Sequence, residues 1–432
     1  MTKDAIAIGL LGMGTVGSSV VQVLNENAKD ILQKVGVSVK IKKIMVLHPD
    51  KPRTITCDAE FTNNIDELIN DHDIDIIVEV MGGTHPAKEY IVKALAAGKH
   101  VVTANKDVVA KYGQELFEAA AKSKVDFFFE ASVAGGIPII RPLKQCLAAN
   151  KISEVMGIIN GTTNYMLTKM TNENLDFDSV LAEAQAKGYA EADPTADVGG
   201  FDAARKIAIV ASIAFGSRVS IDNVYVEGIT AISTEDIAYA KELGYVIKLL
   251  AIAKDDERGI DVRVHPAFIP ANHPLASVHD VFNAIYIKGD AAGETMFYGR
   301  GAGGMPTASA VVSDIIDVAR NIKHRANSRI LCTCFTQKTF CSIQNTESPY
   351  YVRLLVEDKP GVLAAIAGAF GAQQVSLHSV IQKRKVNTCS ELVLITYQVS
   401  DASLRLAINT ISGMSIVNKV SNIIRVEAEE FI

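Results

Sequence analysis

The feature that most restricts the fold lies near the N-terminus. Residues 5–11 (Ala-Ile-Ala-Ile-Gly-Leu-Leu) form an apolar run, and Gly12-Met-Gly14-Thr15-Val16-Gly17 follows without a break. An apolar-periodic segment through Val20, Val21, Val23 and Leu24 comes next. A buried strand, a tight turn with three spaced glycines and a helix together open a dinucleotide-binding βαβ unit. Glycines let main-chain N–H groups approach a pyrophosphate, and the helix N-terminus favours its charge. The competing reading is a glycine cluster that only packs helix on strand, in a domain without a ligand.

Alternation continues through the next hundred residues. Strands are expected at 39–47, 74–80, 100–103 and 126–130, and helices at 65–70, 86–97 and 108–123. Alternating strands and helices imply an α/β Rossmann domain with a parallel, doubly wound sheet, whose ligands sit beyond the carboxyl ends of the strands. Met81-Gly-Gly-Thr84 and Thr103-Ala-Asn-Lys106 both lie at such ends. Lys106 is therefore a candidate contact for cofactor or substrate, against the alternative of a surface lysine at a helix start. The second strand runs out through His48-Pro-Asp50-Lys51-Pro-Arg53. Asp50 suits the ribose hydroxyls of NAD, whereas Lys51 or Arg53 suits the 2′-phosphate of NADP, and the balance favours NADP. Glu130-Ala-Ser-Val133-Ala-Gly135-Gly-Ile137-Pro closes the last strand. Carbonyls with a carboxylate suit a hard cation, although a plain glycine turn is the commoner use of such a segment.

The middle of the chain, about 150–299, mixes strands (152–159, 224–229, 246–253, 262–268, 284–287) with helices. Asn160-Gly-Thr-Thr163-Asn164 is a polar helix start, explained by capping residue types alone. A helix over 178–187 ends at Gly188. The segment Glu191-Ala-Asp193-Pro-Thr-Ala-Asp197-Val-Gly-Gly-Phe-Asp202-Ala-Ala-Arg-Lys206 then concentrates the chemistry. Asp202 and Lys206 stand four apart at the start of a helix and share a face. Carboxylates to hold an ammonium group, with a lysine beside them, suit proton transfer on an amino-acid-like substrate. A surface ion pair is the ordinary alternative, but Lys206 is followed by Ile207-Ala-Ile-Val-Ala211, which favours a cleft. A lysine acting as a proton donor needs a lowered pKa, from burial or from a second lysine such as Lys106. Gly301-Ala-Gly303-Gly304-Met-Pro306 opens a further helix and reads as a turn over the cofactor or a close packing contact.

No histidine pairs obviously with a carboxylate. Cys332-Thr-Cys334 with Cys341 lacks zinc spacing, and no cysteine stands out as a nucleophile. Six cysteines scattered over 432 residues point to reduced thiols rather than a disulfide framework. A net charge of −6 gives no general reason to bind nucleic acid. No apolar run approaches the roughly 20 residues needed to span a bilayer. The first residues lack a signal-peptide pattern, so a cytoplasmic location is expected.

Residues 321–348 read as a linker. The order thereafter is strand 350–356, turn 358–363, helix to 374, strands 375–382 and 391–399, helix 403–411 and strand 417–426. That is βαββαβ, a ferredoxin-like unit.

Asp-Lys-Pro-Gly-Val-Leu at 358–363 within this unit resembles an ACT domain, an amino-acid-sensing module. The N-terminal glycine fingerprint, Thr-Ala-Asn-Lys106, Glu130 to Pro138, Asn-Gly-Thr-Thr-Asn164, the 188–206 segment and Gly299 to Ala310 resemble homoserine dehydrogenases, in order and over essentially the whole chain. The resemblance implies reversible NAD(P)-dependent interconversion of L-homoserine and L-aspartate 4-semialdehyde, on the route to threonine, isoleucine and methionine. It also implies roles. Lys206 would be the catalytic proton donor, with Lys106 near substrate and nicotinamide. Glu191 and Asp202 would hold the substrate, with Asp197 assisting. Thr15, Val16, Gly188 and Gly303, beside the fingerprint glycines, would contact the cofactor. Glu130 with the carbonyls of Val133, Gly135 and Ile137 would hold sodium or potassium. Asp358, Gly361 and Val362 would line a threonine pocket, and ACT pairing would make a homodimer or homotetramer.

The expected division is a Rossmann domain over 1–140 completed by a helix at 305–320, a substrate and dimerisation domain over 141–304, and an ACT domain over 349–432. Aspartate-semialdehyde dehydrogenase is the rival enzyme, but it needs a nucleophilic cysteine with a base. A hydroxy-acid dehydrogenase carrying an ACT domain would need its fingerprint mid-chain. A ligand sensor without turnover is the non-enzyme rival, opposed by the intact Lys206 and its carboxylates.

Overall fold

A computed structural model describes residues 5–427 except 54, 56, 328, 330, 331, 387 and 388. Both chain ends and part of the expected linker thus lie outside the described residues. The chain forms two compact units, one of 1–155, 205–222 and 283–337, the other of 156–204, 223–282 and 338–432. The helix Phe201–Ala214 and the strand β7 (Ile152–Ile158) contribute residues to both.

The first unit is built on a parallel sheet of β1 (Ala5–Leu11), β2 (Ser38–Met45), β3 (Glu60–Thr62), β4 (Ile74–Glu79), β5 (His100–Thr103) and β6 (Phe127–Phe128). Their spatial order is β3-β2-β1-β4-β5-β6, with β1 between β2 and β4. This is the doubly wound order, with its switch point at the carboxyl end of β1. Ile8, Leu10, Ile76, Val78 and Val102 are fully buried because both sheet faces are covered. Each such side chain contributes roughly 1.5–3 kcal/mol. The helix Gly304–His324 joins this core through Ala308, Val311, Ile315, Val318 and Ala319. It runs four residues into the stretch expected to be linker, and ends on Arg325 in the left-handed region.

The second unit holds β8 (Tyr225–Val226), β9 (Tyr245–Asp256) and β10 (Gly259–Pro270). The strand expected at 224–229 shrinks to the two residues of β8. The strands β11 (Phe282–Gly289) and β12 (Gly293–Arg300) fall mostly or wholly in the first unit. β12 escaped the sequence reading because Gly293, Gly299 and its charged residues obscure the alternation. The helix Thr234–Glu242 was also missed, although Ser233 and Asp236 form a capping box at its start.

Beyond a short strand β13 (Glu347–Ser348) lies the expected βαββαβ unit. It comprises β14 (Tyr350–Glu357), a helix Val362–Ala372, β15 (Leu377–Val386), β16 (Cys389–Thr396), a helix Asp401–Ser412 and β18 (Val417–Val426), with β17 (Val399–Ser400) paired to β13. Spatially the order is β18-β14-β16-β15, antiparallel throughout. β18 also pairs parallel with β10, so this sheet continues into β9–β10 rather than hanging from a linker. Polar residues seal the join. Asp236 is fully buried and accepts from Arg353 Nε at 2.8 Å, Tyr351 Oη at 3.1 Å and Asn422 Nδ2 at 2.8 Å. Glu391 accepts from Arg353 Nη1 and from Tyr239 Oη, both at 2.8 Å.

Candidate active site

The nucleotide cradle follows from the glycines. Gly12 adopts φ +97°, a conformation L side chains rarely take. A Cβ on Gly17 would lie 2.2 Å from the Gly12 carbonyl oxygen, so the turn and the helix can approach only at glycine. A Cβ on Gly14 would meet nothing within 4 Å, which leaves open space over the start of the Thr15–Glu26 helix. That combination of closed turn and open helix start fits a pyrophosphate.

A second glycine segment closes on the helix that follows this turn, and a third closes on the second. A Cβ on Gly304 would sit 2.5 Å from Ser19 Oγ and 3.2 Å from Thr15 Cγ2. Gly304 is therefore held against Thr15, and the preceding Gly303 takes φ +114°. A Cβ on Gly135 would sit 2.5 Å from the Gly301 carbonyl oxygen, and Ala134 and Gly135 take φ of +55° and +53°. The Glu130 carboxylate is engaged by main-chain amides: Oε1 accepts from Ile139 and Ile140 at 2.6 and 2.8 Å, and Oε2 from Arg141 at 2.7 Å. With the carboxylate so engaged, the oxygens this turn could offer a hard cation are main-chain ones. Among the described residues, no cluster of His, Cys, Asp and Glu side chains could hold a metal.

Past β2, Arg53 organises its own loop. Its guanidinium donates to the carbonyls of His48 at 2.7 Å, Pro49 at 2.9 Å and Lys51 at 2.7 Å, and lies 4.4 Å from the centre of the Phe61 ring. Asp50 and Lys51 stay exposed.

Lys106 is the first residue of the helix Lys106–Ser123, capped by Asn105, whose Oδ1 accepts from Val108 N at 3.2 Å. A cation is disfavoured at that end of a helix dipole, which is the kind of local cost that function, rather than folding, explains. Lys206 lies half-buried in the Phe201–Ala214 helix, directly before the buried apolar run Ile207–Ala211. The two helix starts meet: Arg205 Nε pairs with Asp107 Oδ1 at 3.1 Å. Lys106 and Lys206 are each the sequence neighbour of one member of that pair.

Asp202 is buried one helical turn before Lys206. Asn160 Nδ2 donates to Asp202 Oδ2 at 2.9 Å and to Asp197 Oδ1 at 2.7 Å, so a single amide gathers two of the three expected carboxylates. Its Oδ1 meanwhile caps the next helix through Thr163 N at 2.9 Å. Asp197 sits in a one-turn helix, Thr195–Val198, within the stretch read as loop. Glu191 is exposed, and its carbonyl accepts from Gln185 Nε2 at 3.1 Å. Gly188 is exposed with φ +71°. Asn164 is a clamp rather than a cap. Its Nδ2 donates to the carbonyls of Val278, Asp280 and Phe282, and its Oδ1 accepts from the buried Lys248 at 3.0 Å. Nothing in the local sequence pattern marks Lys248. All six cysteines are free, and Cys332 Sγ accepts from Arg218 at 3.5 Å.

Known proteins resemble this chain over nearly its whole length. The homoserine dehydrogenase NAD-binding family model matches residues 12–130, the homoserine dehydrogenase model residues 138–316 and the ACT domain model residues 350–412. A homoserine dehydrogenase of Synechocystis sp. is 46% identical, the match spanning 98% of this chain and 99% of that one. That of Bacillus subtilis is 42% identical over 98% of each.

The chain belongs to the homoserine dehydrogenase family.

The solved homoserine dehydrogenase of Thiobacillus denitrificans superposes with a TM-score of 0.94 at 42% identity, covering 98% of each chain. A hyperthermophilic archaeal homoserine dehydrogenase in complex with NADPH gives 0.63 at 27% identity, covering 73% of this chain and 97% of that one. As a homoserine dehydrogenase the chain is an oxidoreductase acting on a CH–OH group, and its N-terminal domain takes a nicotinamide cofactor. The ACT module is a built part of it. No helix among the described residues is long and apolar enough to cross a membrane.

Proposed function

We propose that Lys206 and Lys106 carry the chemistry of homoserine oxidation and of its reverse. A bound nicotinamide would supply hydride exchange with the carbon that bears the oxygen. In the reducing direction negative charge develops on that oxygen, and the Lys206 ammonium stabilises it and delivers the proton. Lys106 lies near substrate and nicotinamide and keeps the local potential positive. Asp202, Asp197 and Glu191 hold the substrate's ammonium group, which fixes the reacting carbon and converts binding into orientation. The observation that carries this reading is the Arg205–Asp107 contact, which brings the starts of the two lysine-bearing helices together.

Gly12, Gly14, Thr15, Val16 and Gly17 hold the pyrophosphate, with Gly188 and Gly303 as further cofactor contacts. NADP is the preferred form, with Lys51 or Arg53 to meet the 2′-phosphate. Glu130, with the carbonyls of Val133, Gly135 and Ile137, would hold a sodium or potassium ion. The Rossmann, substrate and ACT domains divide near 140 and 349, and the ACT units pair into a homodimer or homotetramer in the cytoplasm.

The reaction serves threonine, methionine and isoleucine synthesis, and threonine inhibits it at the ACT loop. Gly361 there takes φ +89° at the start of the Val362–Ala372 helix, and Asp358 pairs with Lys385 at 2.6 Å. The test is homoserine-dependent reduction of NADP and of NAD, followed by the absorbance of the reduced nicotinamide, with and without threonine. No turnover with either cofactor, at high sodium or potassium, would sink the enzymatic reading of the two lysines. Turnover indifferent to threonine, with no calorimetric binding, would remove the effector.

A further inference from the structure

Glu79 is fully buried at the end of β4, and the roles given above do not use it. Burying a carboxylate costs several kcal/mol unless donors compensate, and here one donor comes from the loop after β4 and the other from the last residue of β5, where the next loop begins. Oε1 accepts from Met81 N at 2.8 Å, and Oε2 accepts from Thr103 Oγ1 at 2.6 Å. The chain of contacts then runs toward the helix start. Thr103 Oγ1 accepts from Asn105 N at 3.0 Å, Asn105 Nδ2 donates to the Gly83 carbonyl at 2.6 Å, and Ala104 N donates to the Glu79 carbonyl at 3.2 Å. Both loops lie at carboxyl ends of strands, where an open parallel sheet binds its ligands. The second ends in Lys106.

We infer that Glu79 is a positioning residue for the hydride-transfer site: through Thr103 and Asn105 it fixes the backbone on which Lys106 stands, and it locks the 81–84 loop to the same frame. The inference rests on the reading of Lys106 as a site residue. A neutral core residue could fill the space but could not accept from both loops. Glutamine is the discriminating replacement. It keeps an acceptor for Met81 N, but its amide would point N–H groups at Thr103, whose hydroxyl proton then loses its partner. Thr103→Val breaks the same link from the other side, and Thr103→Ser preserves it.

The experiment is steady-state kinetics on the full-length chain with Glu79→Gln, Thr103→Val and Thr103→Ser, each alone and in a Lys106→Ala background, with homoserine and NADP. Displacement of a reacting group by about 1 Å costs on the order of 10²-fold. Glu79→Gln and Thr103→Val should therefore each lower kcat roughly 10- to 100-fold, with the KM for homoserine little changed and Thr103→Ser near wild type. In the Lys106→Ala background the same changes should cost no more than about 2-fold, because their effect runs through Lys106. Wild-type kcat for both Glu79→Gln and Thr103→Val would overturn the proposal. So would an undiminished loss in the Lys106→Ala background. If Glu79→Gln fails to fold, Thr103→Val and its serine rescue decide the matter. Wild-type turnover in Lys106→Ala alone would remove the role of Lys106, and the proposal with it, before Glu79 is touched.

Discussion

Arg205 Nε and Asp107 Oδ1 lie 3.1 Å apart, and each is the sequence neighbour of a proposed catalytic lysine. Both side chains are about one-third exposed (36% and 33%), so the pair adds little stability, about 0–1 kcal/mol. Its value is placement. Arg205→Ala should leave the unfolding midpoint nearly unchanged while lowering kcat/KM for homoserine about tenfold, roughly 1.4 kcal/mol of transition-state binding. A large loss of stability with normal kinetics would reverse this assignment.

Lys206→Ala should lower kcat by a factor on the order of 10² or more with only a modest change in cofactor affinity. Stopped-flow binding of NADPH alongside turnover separates the two. Near-normal turnover would end the proton-donor role.

Gly14 and Gly17 should respond differently to alanine. At Gly17 the added Cβ meets a main-chain oxygen at 2.2 Å, so Gly17→Ala should destabilise the protein by roughly 1–3 kcal/mol. At Gly14 the space is open, so Gly14→Ala should melt like wild type yet bind NADPH about tenfold or more weakly, roughly 1.4 kcal/mol. Melting curves and fluorescence titrations read the two effects. Equal affinity for NADPH in Gly14→Ala would mean that the dinucleotide does not approach that turn.

Lys248 supplies a pH signature. Burial pulls its ammonium from 10.5 down to about 8, and the side chain is 3% exposed. A folded-state value below the unfolded one means that the folded protein resists protonation. The contribution is therefore fully present above about 10.5 and is lost as the pH falls through 8. Relative to Lys248→Met, wild-type stability should gain roughly 3 kcal/mol as the pH is raised across that window. Urea unfolding of both proteins at several pH values measures it, and parallel pH curves would contradict the burial effect.

Local pattern was enough for the Rossmann opening. The apolar run, the three glycines and the following helix are adjacent in sequence, and glycine alone satisfies φ +97° at Gly12 and the close approach at Gly17. The βαββαβ order was legible for the same reason, because each strand and helix announces its own period. Asp202 and Lys206 were legible as a pair because a helix sets their spacing. Tertiary structure alone decided the rest. Asn160 gathers Asp197 and Asp202 from 37 and 42 residues away, and Arg205 reaches Asp107 across almost a hundred positions. The parallel pairing of β18 with β10, and the buried Asp236–Arg353 contact beside it, likewise join distant segments. A residue type fixes which hydrogen bonds a side chain can make. Only the packing of the chain fixes which partner is there to receive them, and for a buried group such as Glu79 that partner decides whether the charge is structural ballast or part of the site.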